Sequence, residues 1–162
     1  MKNRIGLVYE DKPAYDIWLK LVLGGVLLIT FVSGIALLFQ EPEGAWVMFG
    51  ETLFLALLFK AILPTRHQIF ADRIRIVLGG PFAMNIPFTS IKEVRPGSSR
   101  QTMIYSGLRF ATSAKTVVEI TRREGMNVVI SPGKREMFLE QFHQAYRTWA
   151  NSFKTEAMSH KS

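Results

Sequence analysis

The chain has 162 residues, no cysteine, and a formal net charge of +7 from 20 Lys and Arg against 13 Asp and Glu. Without cysteine there are no disulfides, thiolate metal sites or thiol nucleophiles, and His67, His143 and His160 lie too far apart in sequence to suggest an imidazole metal site. The length allows one ordinary domain plus a short anchor. The 48% hydrophobic content conceals a segregation, with the apolar residues crowded into Ile17–Leu63.

Residues 1–16 are expected to form a cytoplasmic N-terminal segment. Ile17–Phe39 follows, reading IWLKLVLGGVLLITFVSGIALLF, 23 residues interrupted only by Lys20. As a helix it is about 34 Å long, enough to cross a hydrocarbon core of about 30 Å. Gln40–Gly44 (QEPEG) is a turn, because Pro42 and Gly44 do not continue a helix comfortably. Ala45–Leu63 supplies 19 more residues, or about 28 Å, sufficient with slight thinning of the bilayer. Two spans joined so tightly must be antiparallel neighbours. A signal peptide does not fit a run this long that is followed by a second one. A buried hairpin of a soluble core does not fit segments that are apolar all round.

Lys2, Arg4, Lys12 and Lys20 flank the first span, and Lys60, Arg66, Arg73 and Arg75 follow the second. The connecting loop has Glu41 and Glu43 and no basic residue. By the positive-inside rule the expected location is the cytoplasmic membrane, multi-pass, with the N- and C-termini cytoplasmic and residues 40–44 an external loop. Lys20 and Lys60 lie close enough to the span ends to snorkel. Glu51 is the exception: it is six residues past the start of the second apolar run, about 9 Å deep, and its side chain is short. An intramembrane carboxylate needs a partner. Ser33 faces it across the hairpin and Thr30 is one turn further in, so Glu51, Ser33 and Thr30 form the candidate intramembrane contact. The partner is either within the hairpin or on another membrane subunit.

From Arg66 the periodicity becomes alternating. Strands are expected over Arg66–Ala71, Arg73–Leu78, Phe82–Ile86, Ile91–Arg95, Gly107–Phe110, Thr116–Arg122 and Asn127–Ile130. Turns fall at Asp72, at Gly79-Gly80-Pro81 and at Glu124-Gly125, and PGSSRQ at Pro96–Gln101 is a loop. Ser131 is placed to cap a helix beginning at Pro132, in which Phe138, Phe142, Ala145 and Trp149 share one face for about 20 residues. Residues 64–153 thus form a curled antiparallel sheet closed by a C-terminal helix, and residues 154–162 a polar, mobile tail.

This order of elements resembles the bacterial pleckstrin-homology-like (PH) domains attached to membrane spans. The likeness lies in LPTRHQIFADRIRI (Leu63–Ile76), IPFTSIKEV (Ile86–Val94) and VVEITRREGMNVVISPGKREMFLEQF (Val117–Phe142). The resemblance implies an α+β protein, a transmembrane hairpin followed by a PH-like barrel, that acts as a binding module rather than an enzyme. Eukaryotic relatives hold phosphoinositides with basic residues around the first β-turn. Here that turn, Ala71-Asp72-Arg73, is short and carries an acid, which argues against specific inositol-phosphate binding.

Residues 65–162 carry 15 Lys and Arg against 7 Asp and Glu, a balance suited to an anionic membrane surface. Arg95, Arg100, Arg109, Arg122 and Arg123 are the candidate anionic-lipid contacts. There is no phosphate loop, HExxH or GxSxG pattern. Ser98 and Ser99 have no positioned base, His67 is expected at the membrane interface, and His143 at the surface of the helix. No catalytic residue, metal or cofactor is expected, and no nucleic acid, since exposed aromatics do not interleave with the basic residues. The leading expectation is a membrane-anchored adaptor at the cytoplasmic face that binds a protein through an edge strand or the groove beside its helix. An accessory subunit of a larger membrane complex and an anionic-lipid sensor are the alternatives, and oligomerisation stays open.

Overall fold

The computed structural model describes residues 6–97 and 107–159, the last seven by backbone alone. The chain divides into two compact units, one built on a helical hairpin and the other on the sheets and the C-terminal helix.

The hairpin consists of α1 (Ile17–Leu37) and α2 (Pro42–Ile62). The second helix starts three residues earlier than the apolar run suggested. Proline is tolerated at its first position, where its missing N–H would have had no intrahelical partner. The connection therefore shrinks to residues 38–41. The helices meet where side chains are smallest. Gly34 is buried, and a Cβ there would lie 2.8 Å from Cε1 of Phe49, so any larger residue would have to displace the Phe49 ring. Across the hairpin the Thr52 hydroxyl donates to Oγ1 of Thr30 at 2.9 Å, while Thr30 also donates back to its own helix. Elsewhere the surface is apolar and open: only 6% of the most apolar stretch of each helix is buried. A helix from a soluble core would be mostly buried.

Among the described residues the second unit holds eight strands: β1 (Leu7–Asp11), β2 (Pro64–Phe70), β3 (Arg73–Leu78), β4 (Ala83–Pro87), β5 (Ile91–Pro96), β6 (Gly107–Phe110), β7 (Val118–Arg122) and β8 (Asn127–Ile130). They form two four-stranded sheets, one ordered β1-β2-β3-β4 and the other β5-β7-β8-β6; a 3-10 turn at Phe88–Ser90 links the sheets, and α3 (Arg135–Ser159) follows β8. All determined pairings are antiparallel except β6 with β8, which run parallel. The alternation in β3 puts Ile74 and Ile76 wholly inside, with Arg73 exposed. Ile69, Ile86, Ile120 and Ile130 join them. The helix face predicted from spacing closes this core: Phe138, Phe142 and Ala145 are buried, and Phe88 meets Phe142 and Trp149 at ring distances of 5.6 and 5.8 Å. Burying Phe88 and Phe138 fully contributes about 2–3 kcal/mol each.

Three local expectations change. The N-terminal segment, for which no strand was expected, contains one: Leu7–Asp11 is antiparallel to β2, with Asp11 opposite His67. The last helix begins at Arg135 rather than Pro132, and its backbone continues to Ser159 through residues expected to be a mobile tail. Ser131 is not its cap. The Ser131 hydroxyl instead accepts from the N–H groups of Thr112 (2.8 Å) and Ser113 (3.2 Å). The cap comes from β1, where Oδ2 of Asp11 accepts the Lys134 N–H at 2.8 Å, with a negative charge at the positive end of the helix. Asp11→Ala should lower unfolding stability by about 1 kcal/mol, measurable as a shift in the denaturation midpoint; an unchanged midpoint would mean that the cap is energetically silent.

Candidate functional site

No group of three or more His, Cys, Asp or Glu among the described residues is placed to hold a metal ion. Four features bear on function: a groove, a set of arginines, the flank of the hairpin, and a buried histidine.

The groove runs between β5 and α3. It has a volume of about 220 Å³ and is lined by Ile91, Lys92, Glu93, Val94, Phe142, His143 and Tyr146. Its floor follows from two periodicities. Ile91 and Val94 turn inward from β5 across a register shift between Ile91 and Glu93, and Phe142 and Tyr146 are one helical turn apart. Phe142 is buried and Tyr146 half-buried, with ring centroids 5.6 Å apart. Lys92, Glu93 and His143 stand exposed at the rim. Because β5 is an edge of its sheet, with β7 on one side only, its other side presents backbone beside an aromatic wall.

The five arginines do not converge. Arg100 lies outside the described residues. Arg95 is engaged by Glu119 at 3.0 Å, and the Glu119 side chain is only 4% exposed. Register places Arg95 on β5 opposite Glu119, Glu119 opposite Val129, and Val129 opposite Arg109 on β6. Arg95 and Arg109 therefore occupy opposite edges of one sheet, three strand spacings or about 14 Å apart. Arg122 is half-buried, its guanidinium beside Gly125, whose φ of 83° makes the β7–β8 turn. Of the four described candidates, Arg109 and Arg123 are exposed and form no ion pair with a described residue. The short turn Ala71-Asp72 has its acid bound to Arg73 at 2.9 Å, so the arginine nearest that turn is already engaged.

On the hairpin, Glu51 is exposed and its carboxylate forms no hydrogen bond or ion pair with any described residue. Ser33 is half-buried. Of the expected trio only Thr30 makes a bond across the hairpin, and its partner is Thr52. Successive helical residues are rotated by about 100°, so Thr52 faces α1 while Glu51 faces outward. The earlier start of α2 also moves Glu51 from near one end to the tenth of 21 residues, midway between Glu43 and Lys60.

His67 is not interfacial. It is fully buried beneath β1, its ring 6.4 Å from that of Phe138, and neither ring nitrogen has a hydrogen-bond partner. Burial pushes its pKa down to about 4, with Asp11 pulling weakly in the other direction. An imidazole so placed is a neutral core residue. The sequence contained one signal for the cover above it, the β-favouring Leu7-Val8-Tyr9 before Pro13.

A family model described as "Bacterial PH domain" matches residues 65–145, which takes in β2 through β8 and the first eleven residues of α3. Comparison with curated proteins and with solved structures returned no match.

Proposed function

The chain belongs to the bacterial PH domain family, and from that premise we propose that it is a non-enzymatic, membrane-anchored adaptor that takes an extended peptide of a protein partner alongside β5, against α3. The family points to a binding module. The observation that carries the reading is the groove with an edge strand on one side and Phe142, Tyr146 and His143 on the other. Strand addition would supply main-chain hydrogen bonds, and the aromatic wall would select side chains of alternating residues.

The two apolar helices are the anchor of this proposal. Support for an even number of crossings comes from β1: it precedes α1 in the chain, yet pairs with β2, which follows α2. Strands that pair lie on the same side of a bilayer. With the basic flanks and acidic loop, that side is the cytoplasmic one.

A photo-crosslinking side chain at Lys92 or His143, activated in intact membranes, is expected to capture one defined protein band, and the same group at exposed Arg109 to capture much less. His143→Glu combined with Lys92→Glu should weaken that capture roughly tenfold, the loss of a rim contact worth about 1.4 kcal/mol. Equal capture at all three positions, or none at the groove, removes the proposal.

One observation favours a second reading, the packing of the hairpin against another membrane subunit. Glu51 is at mid-helix and faces outward, and an unpartnered carboxyl group in hydrocarbon costs several kcal/mol. A neighbouring helix with a hydrogen-bond donor at that depth would offset the cost. Under this reading Glu51→Leu dissociates a complex that survives gentle detergent extraction, and Glu51→Gln retains most of it. If size-exclusion profiles of all three proteins coincide, the reading is finished.

A further inference from the structure

The turn between β3 and β4, Leu78–Phe82, belongs with the helical hairpin rather than with the strands it joins. The Gly79 N–H donates to the Leu63 carbonyl at 2.9 Å, and the Leu78 N–H closes the turn on the Phe82 carbonyl at 3.1 Å. Gly80 faces the last turn of α2 so closely that a Cβ would lie 3.3 Å from the Cβ of Ala61. The turn is thus seated at the end of α2, one residue pair beyond Lys60. At its tip Pro81 is exposed and Phe82 is 62% exposed. Leaving an aromatic ring of that size in water forgoes about 2 kcal/mol of burial, and the fold does not recover it.

The rest of that end of the hairpin has a matching character. The helices are antiparallel, as the pairing of Gly34 with Phe49 and Thr30 with Thr52 requires, so the start of α1 adjoins the end of α2. There Trp18 is 62% exposed, and Lys20 and Lys60 are the basic residues. At the other end Phe39 and Trp46 are 86% and 71% exposed. Exposed aromatics at both ends of an apolar cylinder, with lysines at one, are the pattern of side chains at the two bilayer interfaces.

We infer that Leu78–Phe82 is a membrane-interface element, with Pro81 and Phe82 inserted among the lipid headgroups and upper acyl chains beside the end of α2. The inference rests on the reading of α1 and α2 as spans. It gives the otherwise wasted ring of Phe82 an apolar partner and makes use of a backbone hydrogen bond that ties the turn to the helix end. Specific headgroup chemistry is not required, since the contact is apolar and lies beside lysines that suit any anionic bilayer.

The lack of cysteine makes the test direct. The whole chain, reconstituted in vesicles of phosphatidylcholine and phosphatidylglycerol, receives an environment-sensitive fluorophore at Phe82→Cys or, deep in α2, at the 62%-exposed Leu53→Cys. Quenching is compared between lipids with a nitroxide at the headgroup, lipids with one near the acyl terminus, and a water-soluble quencher. The label at position 82 should be quenched roughly twofold or more better by the headgroup nitroxide than by the deep one, and the label at position 53 the reverse. Pro81→Cys repeats the measurement should the first variant fold poorly. A label at 82 open to the aqueous quencher, or screened from both lipid and water by protein, overturns the inference while position 53 still reports a span. Absence of deep quenching at position 53 instead overturns the span reading itself.

Discussion

A fragment beginning at Pro64 and containing every strand matched by the family is expected to lack a cooperative unfolding transition, whereas the same fragment preceded by residues 6–14 on a flexible linker of roughly ten residues should fold as a soluble domain. The reason is β1. Without it, the edge of β2 is bare and the fully buried His67 is opened to water. Tyr9 no longer packs edge-on against Phe138, centroids 6.4 Å apart, and Glu10 no longer accepts from Gln68 (2.6 Å) or pairs with Arg66 (3.3 Å). The start of α3 loses the Asp11 cap, and Ser131 and Thr112 lose the backbone of Ala14. Ladder hydrogen bonds at about 1 kcal/mol net each, a cap of similar worth and the burial of Leu7 and Tyr9 together approach 5 kcal/mol or more. That is comparable with the whole stability of a small domain. Thermal melts followed by circular dichroism of the two fragments provide the comparison, and a cooperative melt for the fragment without β1 would show that strand to be ornamental. The linked version is feasible because β1 and β2 are antiparallel neighbours, so a short connection replaces the hairpin between them.

The second large effect is on pH. The His67 pKa is about 4 in the folded chain against 6.5 for a free imidazole, with burial the main cause. The folded state therefore favours the neutral ring, and the associated stability is fully present above pH 6.5. Below that, the unfolded chain takes up a proton that the folded chain refuses. Stability falls by up to about 1.4 kcal/mol per pH unit until the folded pKa is reached, roughly 3 kcal/mol in all. His67→Leu, of similar volume and with no nitrogen to leave unbonded, should flatten this limb between pH 6.5 and 4. It should also raise stability at neutral pH by about 1 kcal/mol or more, because two unsatisfied polar atoms disappear. Denaturant titrations of both proteins at a series of pH values test this in the soluble linked domain or in the whole chain in detergent. Parallel pH curves for the two would mean that water reaches His67.

Much of this molecule was legible in its residues. The hairpin followed from 23- and 19-residue apolar runs around QEPEG, because a helix needs no partner to satisfy its backbone. The strands from β2 to β8 and the buried face of α3 followed from alternation and from the spacing of Phe138, Phe142 and Ala145, and three stretches between Leu63 and Phe142 carried the family likeness that the match over residues 65–145 bears out. These are local patterns, and local patterns are what a sequence states openly.

What the tertiary structure decided is of another kind. A five-residue strand before the hairpin pairs with β2 more than fifty positions later, and no periodicity in Leu7–Asp11 names that partner. From this pairing follow the burial of His67 and the capping of α3 by Asp11 in place of Ser131. On the hairpin, the 100° step between neighbouring helical residues puts Thr52 rather than Glu51 against α1, and the start of α2 at Pro42 leaves Glu51 exposed at mid-helix. The sequence by itself determined that there is an apolar hairpin and a basic PH-like domain, since both depend on composition and short-range spacing. Only the folded chain decided that the segment before the hairpin is part of that domain, because strand pairing depends on which edges meet in space.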